Sequence, residues 1–174
     1  MVQFWRAKTR DEADTLKTAP EVGATGDIAV IVDGKKLDNE LVRLACFMAR
    51  KAKRKVHIVH IIEVPRTLPL HANIRTKETE AADKLLQAAM TIAGETGCDA
   101  VAEVVEARDA GAAIVDEARD HDCALIMLGM VRDTEHKKVS NDFGKTILYV
   151  LNNAPCRVWI VQDRQKSSQK QLSV

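Results

Sequence analysis

A chain of 174 residues, 46% of them apolar, is long enough for one domain with a proper core, and aromatics at only 3% argue against a stacking platform for single-stranded nucleic acid. Its 26 basic and 25 acidic residues nearly cancel to a net charge of +1, so no global field steers it toward nucleic acid or an anionic membrane. No apolar run approaches the roughly 18 residues of a membrane helix, the start MVQFWRAKTRDEAD lacks a secretory core, and Cys46, Cys98, Cys123 and Cys156 form no Cys-x-x-Cys pair; a reducing cytoplasm and packed thiols are the expectation.

In chain order, residues 1–26 read as a polar extension broken by Pro20, Gly23 and Gly26, a disordered tail in preference to an arm that Phe4 and Trp5 anchor on the domain or a partner. DIAVIVD (27–33) is a near-continuous apolar run ending in Asp-Gly, which suits a strand buried on both faces. From Asp38, apolar residues at 41, 44, 45 and 48 mark one face of a helix. VHIVHIIEV (56–64) is β-branched and strand-like. Residues 76–96 carry Ala82, Leu85, Leu86, Ala89 and Ala93 at helical spacing until Gly97 stops the run. AVAEVVEA (100–107) predicts a third strand, Asp109 caps a short helix to about Asp120, and ALIMLG (124–129) predicts a fourth strand. Gly144–Asn153 is a last helix, ended by Ala154-Pro155, and CRVWIVQ (156–162) a fifth strand. Residues 163–174 are a Gln/Lys/Ser-rich tail, which leaves 27–162 as the domain.

Strand and helix alternate five times without hairpin turns. This predicts an α/β fold with a parallel sheet, right-handed crossovers and helices on both faces. Ligands of such sheets sit at the carboxyl ends of the strands, so the loops after Val32, Ile62 and Leu128 are the ones that matter.

In the VDGK turn (32–35), Asp33 can accept a hydrogen bond from a ribose hydroxyl or an exocyclic amine; alternatively its carboxylate caps local N–H groups. The segment LGMVRDTEHKKVSNDFGKT (128–146) closes on the Gly-Lys-Thr of a P-loop, but Val139 stands where the Walker A pattern demands glycine. What remains is Gly144 opening a helix, followed by Lys145 and Thr146. A helix N-terminus holds phosphate through free N–H groups, with Lys137, Lys138 and Lys145 adding charge; alternatively Asn141 or Asp142 caps the helix and the lysines lie in solvent.

His57 and His60, three apart in a strand, point to opposite faces, and His121 and His136 have no ligand partner at metal spacing, so no metal site is expected. The basic run RKAKRK (50–55) fits a helix C-terminus better than a nucleic-acid patch. No catalytic triad or acid–base pair stands out.

Taken together, IAVIVDGKKLDNELVRLACFMA, VHIVHIIEV, ALIMLG and above all GKTILYVLNNAPCRVWIV resemble the universal stress protein family over about residues 26–162. The resemblance implies a five-stranded parallel sheet in the order 3-2-1-4-5, adenine nucleotide alpha hydrolase-like. It implies a cytoplasmic, non-catalytic stress-response protein that binds ATP with Mg²⁺ or another adenine nucleotide. The family's nucleotide motif, G-x2-G-x9-G-[ST], maps Asp33 to the nucleoside contact, Ile61 to the adenine-contacting strand and Gly129 to the first glycine. Arg132 replaces the second glycine, Gly144 lies two residues beyond the third, and Lys145 takes the hydroxyl position with Thr146 one place later. Arg132 either blocks close phosphate approach or, with Lys137 and Lys138, replaces amide contacts by charge. The last strand, Arg157 to Val161, would otherwise leave an exposed pairing edge and is the expected homodimer contact. The alternative function is a nucleotide-free module regulating a partner protein such as a transporter. An ATP hydrolase is the third reading, with only Asp33, Asp133 and Asp142 placed to bind metal.

Overall fold

The apolar run that opens the domain forms strand β1 (Asp27–Ile31) in the computed structural model, which describes residues 26–67, 76–130 and 144–162. Along it, Ile28, Val30 and Val32 enter one buried cluster while Ala29 enters another. A strand packed on both faces shows no polar side, hence the unbroken run in the sequence. The extension, the tail and the segment 131–143, with Arg132, Asp133, Lys137, Lys138, Asn141 and Asp142, lie outside the described residues.

The chain continues through α1 (Asp38–Ala52), β2 (Val56–Glu63), α2 (Thr76–Thr96), β3 (Ala100–Ala107), α3 (Ala110–Asp120), β4 (Cys123–Met130), α4 (Lys145–Asn153) and β5 (Arg157–Gln162). All strand pairs are parallel and the order is β3-β2-β1-β4-β5, as expected. Leu41, Val42 and Ala45 of α1 and Leu86 and Ala89 of α2 cover one face of the sheet. Ile114, Val115 and Ala118 of α3 and Val150 of α4 cover the other.

Local chemistry sets the ends of the elements. Asp109 Oδ1 accepts the N–H groups of Gly111 (3.0 Å) and Ala112 (3.2 Å), the cap foreseen for α3. Gly97, at φ +63°, takes the left-handed conformation that ends α2. The basic run is used as a helix end: Lys53 is a left-handed C-cap, Arg50 donates to the Thr96 carbonyl at 2.7 Å, and Arg54 donates to the Gly26 carbonyl at 2.6 Å. Where α3 crosses α4, a Cβ on Gly111 would stand 2.8 Å from Tyr149 Cβ, so the bare backbone permits that approach.

All four thiols are free, Cys98 and Cys156 half-buried. Cys46 and Cys123 are buried, and burial foremost pushes the Cys123 and Cys98 thiols up to about 12. Among the described residues no helix is long and apolar enough to cross a membrane.

Candidate functional site: a cleft at the carboxyl ends of β1 and β4

After β1 the chain crosses to β2 on one side, while β4 flanks β1 on the other. Loops leaving in opposite directions open a crevice at this switch point. It holds a cleft of about 500 Å³ whose walls include Asp33, Ile61, Gly129, Gly144 and Thr146. Five of the seven sequence-derived site residues, distant along the chain, therefore line one space. Lys145 is not among the lining residues, and Arg132 is outside the described residues.

The Asp33 turn is held by a residue that spacing alone did not reveal. Asp38 Oδ2 accepts the main-chain N–H groups of Asp33 (3.0 Å), Gly34 (2.8 Å) and Lys35 (3.1 Å). Gly34 closes the turn at φ +84°, a conformation glycine adopts without cost. Asp38 is 3% exposed. Burial, then the charge of Asp33, raises its carboxyl above the ordinary 3.8, outweighing the opposing hydrogen bonds. The local cap considered for Asp33 is thus supplied by Asp38. The Asp33 carboxylate remains at the cleft, paired with the Lys35 ammonium.

Ile61 presents backbone as well as side chain. The β1–β2 ladder ends with Ile31 opposite Val59, and the Val32 N–H bonds the Val59 carbonyl at 3.0 Å. Main-chain groups two residues apart in a strand point the same way. The N–H and C=O of Ile61 therefore face the β1 side, past the last rung of that ladder, as one donor and one acceptor at the cleft wall. His60 turns its Nδ1 to the Val32 carbonyl at 2.8 Å and ties off the end of β1.

On the opposite wall, α4 begins with Gly144 as its N-cap, a residue with no side chain to bond the first-turn N–H groups. Those groups have no acceptor inside the helix and carry the positive end of its dipole. Gly144 and Thr146 face the cleft, whereas Lys145 reaches Asp109 Oδ2 at 2.6 Å. This hydrogen bond holds the Asp109 carboxyl below and the Lys145 ammonium above their ordinary ranges. Gly129 has a packing reason to be glycine: a Cβ there would stand 2.9 Å from Leu41 Cδ1. Glu63, also at the cleft, accepts the Ala110 N–H at 2.9 Å and fixes the start of α3 beside it.

The profile of the universal stress protein family matches residues 25–162. Among solved structures, the universal stress protein from Archaeoglobus fulgidus in complex with dAMP shares 23% identity at a TM-score of 0.62, over 78% of this chain and 96% of that one. A universal stress protein in complex with cAMP shares 17% at 0.59, over 79% and 97%. A family protein from Arabidopsis thaliana with AMP bound shares 11% at 0.56, over 80% and 93%. A comparison with curated protein sequences finds no match.

Proposed function

Because the chain belongs to the universal stress protein family, we propose that its cleft binds an adenine nucleotide and that the protein acts by binding rather than by catalysis. The observation that carries this reading is the opposed pair of walls: the Asp33 carboxylate and Ile61 main chain on one side, the start of α4, whose N-cap Gly144 has no side chain, on the other. Asp33 accepts a ribose hydroxyl, Ile61 pairs with the adenine edge through its N–H and C=O, and the first-turn N–H groups of α4 with the Thr146 hydroxyl take phosphate. ATP arriving with Mg²⁺ is the expected form, the ion being held largely by the phosphates. That relatives have been solved with dAMP, cAMP and AMP supports the ligand class.

Calorimetric titration of ATP with Mg²⁺ tests the reading. Micromolar binding is expected, and Asp33→Ala should weaken it roughly ten- to hundred-fold, the loss of one charge-assisted hydrogen bond, with little change in melting temperature. No heat at millimolar ATP, with no thermal shift, overturns it. The protein would then be the nucleotide-free regulator of a partner such as a transporter. The tethering of Lys145 to Asp109, which spends a cation at the phosphate end, is the observation favouring that second reading.

We place the protein in the cytoplasm as a homodimer joined along β5. Among the described residues that strand pairs on one side only, with β4, and its Trp159 is 44% exposed. Sedimentation velocity should show a dimer for the native chain and a monomer for Trp159→Glu; a native monomer at tens of micromolar removes the assembly.

A further inference from the structure

At the opposite end of the sheet from the cleft, His57 is the second residue of β2 and only 6% exposed. Its Nε2 lies 3.0 Å from Asp27 Oδ2, while Asp27 Oδ1 accepts the Lys55 N–H at 3.1 Å. Both carboxylate oxygens act as acceptors, so His57 Nε2 donates; in the neutral ring the lone pair is then on Nδ1. That Nδ1 is buried and has no hydrogen-bond partner among the described residues. The two nitrogens of an imidazole point away from each other. With Nε2 turned toward β1, Nδ1 turns toward β3, the strand on the other flank of β2.

Glu103 stands on β3, and His121 caps the C-terminal end of α3 above it. His121 Nε2 is 3.1 Å from Glu103 Oε1 and 3.3 Å from Glu117 Oε2, and its ring stacks on His57 with centroids 4.1 Å apart. One ligand atom each from His57, Glu103 and His121 lies within 4.8 Å of the others. Donors around a tetrahedral zinc ion, at about 2.1 Å from the metal, stand about 3.4 Å apart. Two stacked imidazoles cannot both direct in-plane lone pairs at one ion, so ligation requires the partly exposed His121 ring to turn out of its stack on His57.

We propose that His57, Glu103 and His121, with Glu117 as a fourth donor, bind a divalent transition-metal ion of the zinc type. Two imidazoles with one or two carboxylates suit that class and not magnesium or calcium, which favour all-oxygen shells. Asp27 is the positioning residue: by accepting from Nε2 it fixes the tautomer that leaves Nδ1 free to ligate. Glu103, Glu117 and His121 are partly exposed, with side chains 38%, 20% and 32% accessible, which supplies a path for the ion.

Such an ion would pin the C-terminal end of α3 to β2 and β3. The other end of α3 borders the cleft through Ala110 and Ile114. The ion would thus brace the helix that forms one side of the cleft, without touching the ligand there.

The test uses the full chain stripped with chelator, titrated with Zn²⁺ by calorimetry and with Co²⁺ by visible spectroscopy. A one-to-one micromolar Zn²⁺ isotherm, a raised melting temperature and the visible bands of four-coordinate Co²⁺ are expected. His121→Ala and Glu103→Gln, at partly exposed positions where the fold tolerates change, should each weaken Zn²⁺ at least tenfold and lose the cobalt bands. Circular dichroism melts of the metal-free variants establish that they fold. Asp27→Asn should weaken binding by a smaller factor while keeping the stoichiometry. An absence of saturable heat below millimolar Zn²⁺ overturns the proposal, as does binding that His121→Ala and Glu103→Gln leave unchanged, since the ion would then sit on the thiols or other surface groups.

Discussion

Asp38→Ala is expected to lower stability by about 3 kcal/mol, or roughly 6–12 °C in melting temperature for a domain of this size, and to abolish nucleotide binding at the same time. The side chain is 3% exposed, and one of its oxygens gathers three main-chain N–H groups. Alanine removes the acceptor and leaves three part-buried donors with only water to replace it. The turn that presents Asp33 then loses its shape, so affinity falls with stability. Asp38→Asn separates the two effects. Its amide oxygen still accepts the N–H groups, so the turn and binding should survive, while the amide nitrogen lacks a partner and costs about 1 kcal/mol.

The same pair reads the charge. The folded-state carboxyl of Asp38 lies above the ordinary 3.8 because of burial and the neighbouring Asp33. For an acid shifted upward, the folded state binds the extra proton between the two values. The contribution of Asp38 to stability is therefore fully present below 3.8 and declines as pH rises through the folded value. Urea melts of the native chain should show this falling slope and those of Asp38→Asn should lack it. Parallel slopes would mean that the three amide bonds cancel the cost of burial.

The frame was legible because its cause is local. β1 and β4 read as unbroken apolar runs since helices cover both faces of the sheet, and α1 and α2 show helical spacing since each buries one stripe. Asp109 was legible as a cap because its bonds reach only two and three residues ahead. Asp33 was legible in the VDGK turn and Gly144 at the start of the last helix, while Ile61 came from resemblance; the cleft joins them because all three sit at carboxyl ends of strands or at the helix facing them. What escaped was chemistry assembled across the fold. Asp38 looks like an ordinary acid in the first turn of a helix until Gly34 folds the chain back onto it. The cluster of His57, Glu103 and His121 escaped for a stronger reason. Its members come from three elements, so a test of spacing along one element correctly separated His57 from His60 and still missed the partners supplied by β3 and α3.

Gly144→Ser is expected to stabilise the protein slightly and to weaken nucleotide binding about tenfold or more, and this opposition is the sharpest test of the cleft. At φ −50° and ψ 158°, Gly144 already has the extended geometry of an N-cap, open to any residue. Among the described residues, a Cβ built there meets nothing within 4 Å. The fold around it thus supplies no steric reason for glycine. A serine hydroxyl would accept the N–H of Thr146 or Ile147 and add a few tenths of a kcal/mol to α4. Those N–H groups are the ones assigned to phosphate, so cap and ligand compete for the same donors. Gly144→Val marks the other limit: it offers no acceptor, caps poorly, and places branched carbon where phosphate must approach, so it should abolish binding while costing no more than about 1 kcal/mol. If Gly144→Ser binds ATP as tightly as the native chain, phosphate does not use the start of α4. The bare N-cap would then be an accident of packing and not part of a binding site.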